Sequence, residues 1–331
     1  MTAADAAGEP VYLGLYLAPF AELLAREDLT DFYVNRPGEV WAETVGGGVE
    51  RLAMPALDEK TLSRLARQIA AFTHQGISRA HPLLAATLPD GSRVQVIAPP
   101  ATRGGMLLAV RKHVVQDMSL ADYTRCGAFS ATSSGALADR SATDTTLRAL
   151  RDAGEYGELL ATAVRARRNI LIAGGTSTGK TTFLNALIAE IPARERLIYI
   201  EDTPELKLRH ENGIGLLAAR SALGEASVTA DDLLAASLRM RPDRIILGEL
   251  RGPEAFTFLR AVNTGHPGSM TTVHADSPQR AIEQIALLVL QTGTSLARAD
   301  VDHYVRSTID VYVQLARSDG RRHISEVILR D

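Results

Sequence analysis

The residues of this sequence best suited to chemistry lie in a glycine- and threonine-rich segment that follows an apolar stretch, residues 170–173. This segment matches the phosphate-binding loop pattern, and a helix is predicted to leave it. Its residues are Gly174, Gly175, Thr176, Ser177, Thr178, Gly179, Lys180, Thr181 and Thr182. Glycines let backbone N–H groups turn toward phosphate oxygens, and the helix N-terminus adds partial positive charge. The pattern therefore predicts that Lys180 reaches the β- and γ-phosphates of ATP and that the Thr181 hydroxyl ligates Mg²⁺.

Acidic residues follow two other predicted strands. Glu201 and Asp202 come directly after one apolar run, and Glu249 comes after another that ends in Gly248. Acidic side chains at the carboxyl ends of parallel strands face the crevice where such sheets bind ligands, although strand ends are also often polar because they meet solvent. Hydrolysis needs a group that orients water and a charge that supports the metal. Glu249 is predicted to position the water, and Glu201 or Asp202 to support Mg²⁺, through a water molecule.

A third segment, residues 264–275, carries two of the eight histidines, His266 and His274. A neutral imidazole could hydrogen-bond a phosphate oxygen or water, and an imidazolium could oppose developing negative charge; a purely structural hydrogen bond is the alternative. No third histidine or cysteine accompanies the pair at metal-ligand spacing, so zinc is not predicted. His266 is predicted to sense or stabilise the γ-phosphate.

Composition narrows the class of protein. A chain of 331 residues can form two domains, and 46% hydrophobic and 23% charged residues are typical of soluble globular proteins. No apolar run could span a membrane and no secretion signal is recognised, so a cytoplasmic location is predicted. The single cysteine, Cys126, permits no internal disulfide. The net charge of −3 and 5% aromatic content argue against a dedicated nucleic-acid binder, although a local basic patch is not excluded.

Two domains must position these residues. Residues 1–126 are predicted to form a smaller α+β domain. Its predicted elements are a helix over 11–27, a hairpin over 32–43, a helix over 58–75, strands over 83–88, 93–98 and 106–111, and a short helix capped by Ser119. Residues 127–146 are rich in serine, threonine and alanine, which favours a flexible linker.

Residues 147–331 alternate apolar runs with amphipathic segments, a pattern typical of a parallel sheet with crossover helices. The predicted strands cover 169–173, 196–200, 244–250 and 269–274. The predicted helices cover 155–167, 180–190, 230–240, 253–263 and 278–291. A hairpin is predicted over 311–315 and 323–329, with its turn at residues 318–320.

Four segments in this order resemble the type II/IV secretion ATPases. They are the phosphate loop, residues 200–206, residues 240–252 and residues 265–275, which resemble the Walker A, aspartate, atypical Walker B and histidine boxes of that superfamily. The atypical box lacks the usual aspartate, in agreement with Gly248 before Glu249. Residues 88–100 and the strand that ends at 110–112 are similar to the type IV secretion branch, which includes conjugal DNA-transfer ATPases. A single cysteine excludes the four-cysteine zinc element of pilus and type II assembly motors.

The resemblance implies a RecA-like C-terminal P-loop NTPase domain and a homohexamer at the cytoplasmic face of the inner membrane, peripherally bound, with other secretion-system components as partners. It also implies nucleotide binding between the two domains, with Arg93 and Arg111 reaching the phosphates, although the residues alone favour ordinary surface arginines. The function it implies is an ATP-hydrolysing motor for substrate translocation or pilus biogenesis. A pilus retraction motor, a RecA-like nucleic-acid translocase and a non-hydrolysing scaffold stay open as alternatives, as does the cargo.

Overall fold

The computed structural model places the chain in two β-sheets, each covered by helices of its own part of the sequence. It describes residues 11–113, 119–130, 132, 142–219 and 224–330. Within these residues no helix is both long enough and apolar enough to cross a bilayer.

The first sheet is antiparallel, with six strands in the order β3-β2-β1-β6-β5-β4. Its strands are β1 (Leu29–Val34), β2 (Glu39–Thr44), β3 (Val49–Ala53), β4 (Leu83–Thr87), β5 (Arg93–Ile97) and β6 (Leu107–Arg111). Its helices are α1 (Val11–Leu17), α2 (Ala21–Ala25) and α3 (Glu59–Phe72). Asp58 begins α3 by accepting a hydrogen bond from the Thr61 N–H at 2.7 Å. The apolar face of α3, spaced at helical intervals, is buried against the sheet.

The second sheet has seven strands in the order β13-β12-β7-β11-β10-β8-β9, and all neighbours are parallel except the β12–β13 hairpin. Its strands are β7 (Ile170–Gly174), β8 (Leu197–Glu201), β9 (Gly213–Leu217), β10 (Arg244–Leu247), β11 (Met270–Val273), β12 (Val311–Ser318) and β13 (Arg321–Leu329). The later helices are α4 (Leu120–Arg125), α5 (Ala142–Asp152), α6 (Tyr156–Arg165), α7 (Lys180–Ile188), α8 (Ala230–Ser237), α9 (Glu254–Asn263), α10 (Pro278–Leu290) and α11 (Arg298–Thr308).

Helices cover both faces of the second sheet, because its central strands are apolar on both sides. In β7, Ile170 and Ile172 pack toward α5, α6 and α7, whereas Leu171 and Ala173 pack toward the layer that contains α8, α9, α10 and α11. The sequences of strands that are buried on both faces are continuous apolar runs, in which apolar and polar residues do not alternate. The predicted parallel sheet with crossover helices is therefore confirmed.

Some sequence-based predictions need correction. The helix predicted over residues 11–27 is divided into α1, a 3₁₀ turn at Ala18–Phe20 and α2, where Pro19 lacks the N–H that a continuous helix requires. The stretch 127–146 was predicted as a linker, but α5 already begins at Ala142 and packs on the second sheet through Leu147. Residues 131 and 133–141 of that stretch lie outside the described residues. Strands β3 and β9 and helices α5 and α11 have no counterpart among the predicted elements.

The two sheets are joined along β9, the edge strand of the second sheet. Residues that follow β5 form an antiparallel bridge from Thr102 to Leu216, and the Arg103 N–H donates to the Gly215 carbonyl at 2.9 Å. Nearby, Arg196 donates to Asn35 Oδ1 at 2.7 Å, and its guanidinium stacks on the Tyr33 ring at 4.0 Å from the ring centre. We call this contact between the two sheets the seam.

Candidate functional site

The phosphate loop joins β7 to α7 with the geometry that its sequence predicts. Gly179 has a φ of +95°, a value that glycine adopts without the strain that a side chain would add. A Cβ at Gly174 would lie 2.5 Å from Thr178 Oγ1 and 3.1 Å from the Leu315 carbonyl oxygen, so the start of the loop also requires glycine. The loop thus ends at the N-terminus of α7, where backbone N–H groups are free to bind anions.

Lys180 is the first residue of α7, and its side chain is largely buried beneath the loop. Its Nζ donates to the carbonyl oxygens of Gly174 at 3.0 Å and Gly175 at 3.3 Å. Burial lowers the pKa of Lys180, while the charge of Glu249, 3.7 Å away, acts in the opposite direction. The ammonium group therefore lies where a lysine can contact the outer phosphates of a nucleotide.

Glu249, after β10, lies at the centre of a cluster of charged side chains. Its Oε1 is 2.9 Å from His274 Nε2, and its Oε2 accepts a hydrogen bond from Arg251 Nε at 2.6 Å. Arg251 Nη1 also donates to Asp202 Oδ2 at 2.8 Å. Three neighbouring strand ends, those of β8, β10 and β11, thus bring Asp202, Glu249 and His274 to the carboxyl edge of the sheet beside Lys180.

Glu201, the last residue of β8, is buried, and both of its carboxylate oxygens are engaged. Oε2 accepts hydrogen bonds from the N–H groups of Glu205 at 2.9 Å and Leu206 at 2.7 Å, and Oε1 forms an ion pair with Arg103. These contacts fix the loop that carries Asp202. Both acids predicted to support Mg²⁺ border the cavity, but both carboxylate oxygens of Glu201 are already engaged by these contacts.

Arg103 reaches Glu201 through a gap that a glycine provides. A Cβ at Gly215 would lie 2.5 Å from Arg103 Cδ, so any other residue at this position would displace the arginine. Arg103 Nη1 also donates to the Leu206 carbonyl at 2.6 Å. No local pattern in the sequence points to Arg103, because it lies 98 residues before Glu201 and only the seam brings the two together.

The prediction for His266 is corrected by the topology. His266 precedes β11 and contacts the carbonyl oxygen of Pro242, which precedes β10, at 2.9 Å from its Nδ1. Both positions are at the amino edge of the parallel strands, opposite the phosphate loop. His274 follows the same strand β11 and lies at the carboxyl edge, so His274 is the histidine of this segment that borders the site.

Arg93 and Arg111 do not approach the phosphate loop of this chain. They lie side by side on β5 and β6, and Arg111 Nε forms an ion pair with Asp31 Oδ1 at 3.0 Å. Neither residue borders the cavity at the loop. Within one chain, neither arginine therefore makes the phosphate contact that the family resemblance implies.

A cavity of about 670 Å³ lies above the phosphate loop, a volume within the range of ligand sites. Its described lining comes wholly from residues 176–322, so in this chain it belongs to the second sheet and not to the space between the two sheets. The charged and hydrogen-bonding side chains around it include those of Lys180, Thr181, Asp202, Glu249, Arg251, Glu254, His274 and Arg322. Arg322, on β13, is a further residue of this lining to which no local sequence pattern points.

The amino-acid sequence of this chain is similar to those of secretion-system proteins over most of its length. The family model described as "Type II/IV secretion system protein" matches residues 137–326, more than half of the chain. The VirB11 protein of the Bartonella henselae type IV secretion system is 38% identical over 324 residues, which cover 94% of this chain and 91% of the relative. The chain belongs to the type II/IV secretion system protein family.

Other members of the family agree over nearly full length. The VirB11 protein of Brucella suis is 40% identical, and the match covers 95% of this chain and 89% of the relative. The PtlH protein of Bordetella pertussis is also 40% identical, and that match covers 93% of this chain and 92% of the relative. The crystal structure of the Brucella suis VirB11 ATPase in complex with sulphate matches with a TM-score of 0.89 and 38% identity over 96% of this chain and 97% of that chain. The chain is thus a nucleotide-binding ATPase of the type IV secretion kind.

Proposed function

We propose that this chain is a Mg²⁺-dependent, RecA-like motor that hydrolyses ATP to power a type IV secretion system. The observation that carries the proposal is the position of Glu249, whose Oε1 lies 2.9 Å from His274 Nε2 and 3.7 Å from Lys180 Nζ. A carboxylate held at this distance from the phosphate-loop lysine can accept a hydrogen bond from a water molecule beside the γ-phosphate.

Each residue of the site has a proposed role. Lys180 and the loop N–H groups hold the phosphates, and Glu249 orients the attacking water and accepts its proton. His274 fixes Glu249 and contacts the γ-phosphate. Arg251 holds Glu249 and Asp202 in place through its two hydrogen bonds, at 2.6 and 2.8 Å. Together these contacts assemble the reacting groups before the substrate arrives, which lowers the barrier to reaction.

The oxygen donors beside the loop fit a magnesium ion. Thr181 is the second residue of α7, and both Thr181 and Asp202 border the cavity. Hydroxyl and carboxylate oxygens are ligands that Mg²⁺ accepts, usually with water molecules and substrate phosphates completing the octahedron. We propose that Thr181 holds the ion directly and Asp202 through water. The ion neutralises charge on the β- and γ-phosphates when bound.

Two variants test this assignment. Lys180→Ala is expected to abolish phosphate release while the far-UV circular dichroism spectrum stays unchanged. Glu249→Gln is expected to bind a fluorescent ATP analogue with an affinity near that of the wild type but to hydrolyse ATP at least about a hundredfold more slowly. Turnover by Lys180→Ala would refute the site, and an unimpaired rate in Glu249→Gln would mean that another residue orients the water.

The assembly is also part of the proposal. By family membership we propose a homohexamer, bound peripherally at the cytoplasmic face of the inner membrane and in contact with other components of the secretion system. We further propose a domain division in which residues 1–126 form the first domain and the second domain begins with α5 at Ala142, rather than at residue 147. Light scattering with and without MgATP tests the ring, because a monomer under all conditions would contradict a motor that works as a hexamer.

A further inference from the structure

Arg322 lies beside the phosphate loop although it is far from it in sequence. It is the second residue of β13, and the β12–β13 hairpin flanks β7, the strand that leads into the loop. A Cβ built on Gly179 would lie 3.4 Å from Arg322 Cδ and 3.8 Å from its Nη1. The arginine side chain therefore covers the last glycine of the loop and borders the same cavity as Lys180.

The other strong cations around this cavity already have partners. Lys180 Nζ donates to the Gly174 carbonyl and lies 3.7 Å from Glu249, and Arg251 pairs with Glu249 and Asp202. In contrast, the backbone of Arg322 pairs with Arg317 in the β12–β13 hairpin, but its guanidinium group forms no hydrogen bond or ion pair with any residue in the described part of the chain. A guanidinium group without a protein partner beside a phosphate loop is available for an anionic ligand.

The topology places Arg322 across the loop from the carboxylates. Strand β7 lies between β12, on the side of Arg322, and β11, on the side of Glu249 and His274. A polyphosphate bound along the loop would therefore have the acidic cluster on one side and Arg322 on the other. The positive charge of Arg322 would attract the phosphate oxygens on the side of the loop that is away from the negatively charged carboxylates.

We propose that Arg322 is a nucleotide-binding residue that contacts the triphosphate of ATP. A planar guanidinium can donate two parallel hydrogen bonds to phosphate oxygens, which gives both affinity and orientation. Arg322 thereby ties the C-terminal hairpin to the occupied loop. The inference rests on the proposed nucleotide site and adds a contact from a strand that none of the four family motifs includes.

The chain offers a matched control in Arg321, the residue before Arg322. Side chains alternate between the two faces of a strand, so Arg321 points away from the face that carries Arg322. Both residues are exposed, and Arg321 does not border the cavity. Arg321→Ala therefore removes the same charge from the same strand without removing the proposed contact.

The test measures the affinity of the full chain for MgATP and for inorganic tripolyphosphate by calorimetry. Arg322→Ala is expected to weaken both ligands about tenfold, Arg322→Lys less, and Arg321→Ala not measurably. A thermal melt close to that of the wild type checks that each variant is folded.

Three results would overturn the inference: an unchanged affinity in Arg322→Ala, an equal loss in Arg321→Ala, or a loss for MgATP but not for tripolyphosphate. The last result would assign Arg322 to the adenosine moiety. Failure of the proposed function is separately visible, because it would leave wild type and Lys180→Ala with the same affinity for MgATP.

Discussion

Arg103 and Glu201 form an ion pair across the seam, with only 14% and 4% of the respective side chains exposed. Arg103 belongs to the part of the chain that forms the first sheet, and Glu201 ends β8 of the second. Because Glu201 also accepts hydrogen bonds from the loop after Asp202, the pair fixes the position of a residue that borders the cavity. The geometry of the site thus depends on a residue outside the second sheet.

Breaking this pair is expected to destabilise the protein. Arg103→Met leaves the Glu201 carboxylate buried without its cation and is expected to lower the free energy of unfolding by about 3 kcal/mol. Adding Glu201→Gln removes the unpaired charge, so the double variant is expected to lose less than the sum of the single losses. Urea unfolding of the four proteins of this cycle measures the coupling. Additive losses would mean that the two residues act independently.

The Mg²⁺ requirement is expected to depend on the Thr181 hydroxyl. Thr181→Ala removes the proposed direct ligand, and the Mg²⁺ concentration for half-maximal ATP hydrolysis is expected to rise about tenfold or more. Thr181→Ser retains the hydroxyl and is expected to resemble the wild type. EDTA is expected to abolish hydrolysis in all three proteins. A Thr181→Ala variant with the Mg²⁺ dependence of the wild type would assign the ion to other ligands.

His274, rather than His266, is expected to affect catalysis. His274→Ala removes the group 2.9 Å from Glu249 Oε1 and is expected to lower kcat by roughly a hundredfold. His266→Ala alters a residue at the opposite edge of the sheet and is expected to have a much smaller effect on kcat. Steady-state phosphate release compares the two variants. The reverse order of effects would restore the assignment made from sequence.

His266 is instead expected to make stability depend on pH. Burial lowers the pKa of His266 below its usual value near 6.5, although its hydrogen bond to Pro242 opposes the shift. The imidazole therefore takes up a proton at a higher pH in the unfolded chain than in the folded chain. The contribution of His266 to the free energy of unfolding is then fully present above about pH 6.5 and is lost as the pH falls below that value. His266→Asn is expected to show a weaker pH dependence of its melting temperature in that range than the wild type. Parallel curves for wild type and His266→Asn would contradict this.

Local patterns in the sequence were sufficient for the phosphate loop and for most of the parallel strands. The loop pattern depends on neighbouring residues, and strands such as β7 are continuous apolar runs. Strand β9 was missed because two of its five residues are glycines, Gly213 and Gly215, which are uncommon in strands. Here Gly215 is required because Arg103 lies against it.

The remaining site residues depend on topology, which a local pattern does not contain. His266 and His274 lie in one segment, and only the direction of β11 determines which of them faces the phosphate loop. Arg322 comes from a hairpin whose own sequence has no nucleotide-binding pattern. Its position follows from the pairing of β12 with β7, a contact between residues about 140 positions apart.

The seam also constrains how mechanical work can be performed. It buries two guanidinium groups, those of Arg103 and Arg196, and burial lowers the pKa of Arg196 to about 10. Separating the sheets would deprive Arg103 of Glu201, and Arg196 of Asn35 and the Tyr33 ring, at a cost of several kcal/mol. The first sheet and strand β9 are therefore expected to move together as one rigid unit. The compliance that a power stroke requires is then expected at the boundaries between neighbouring chains of the proposed hexamer.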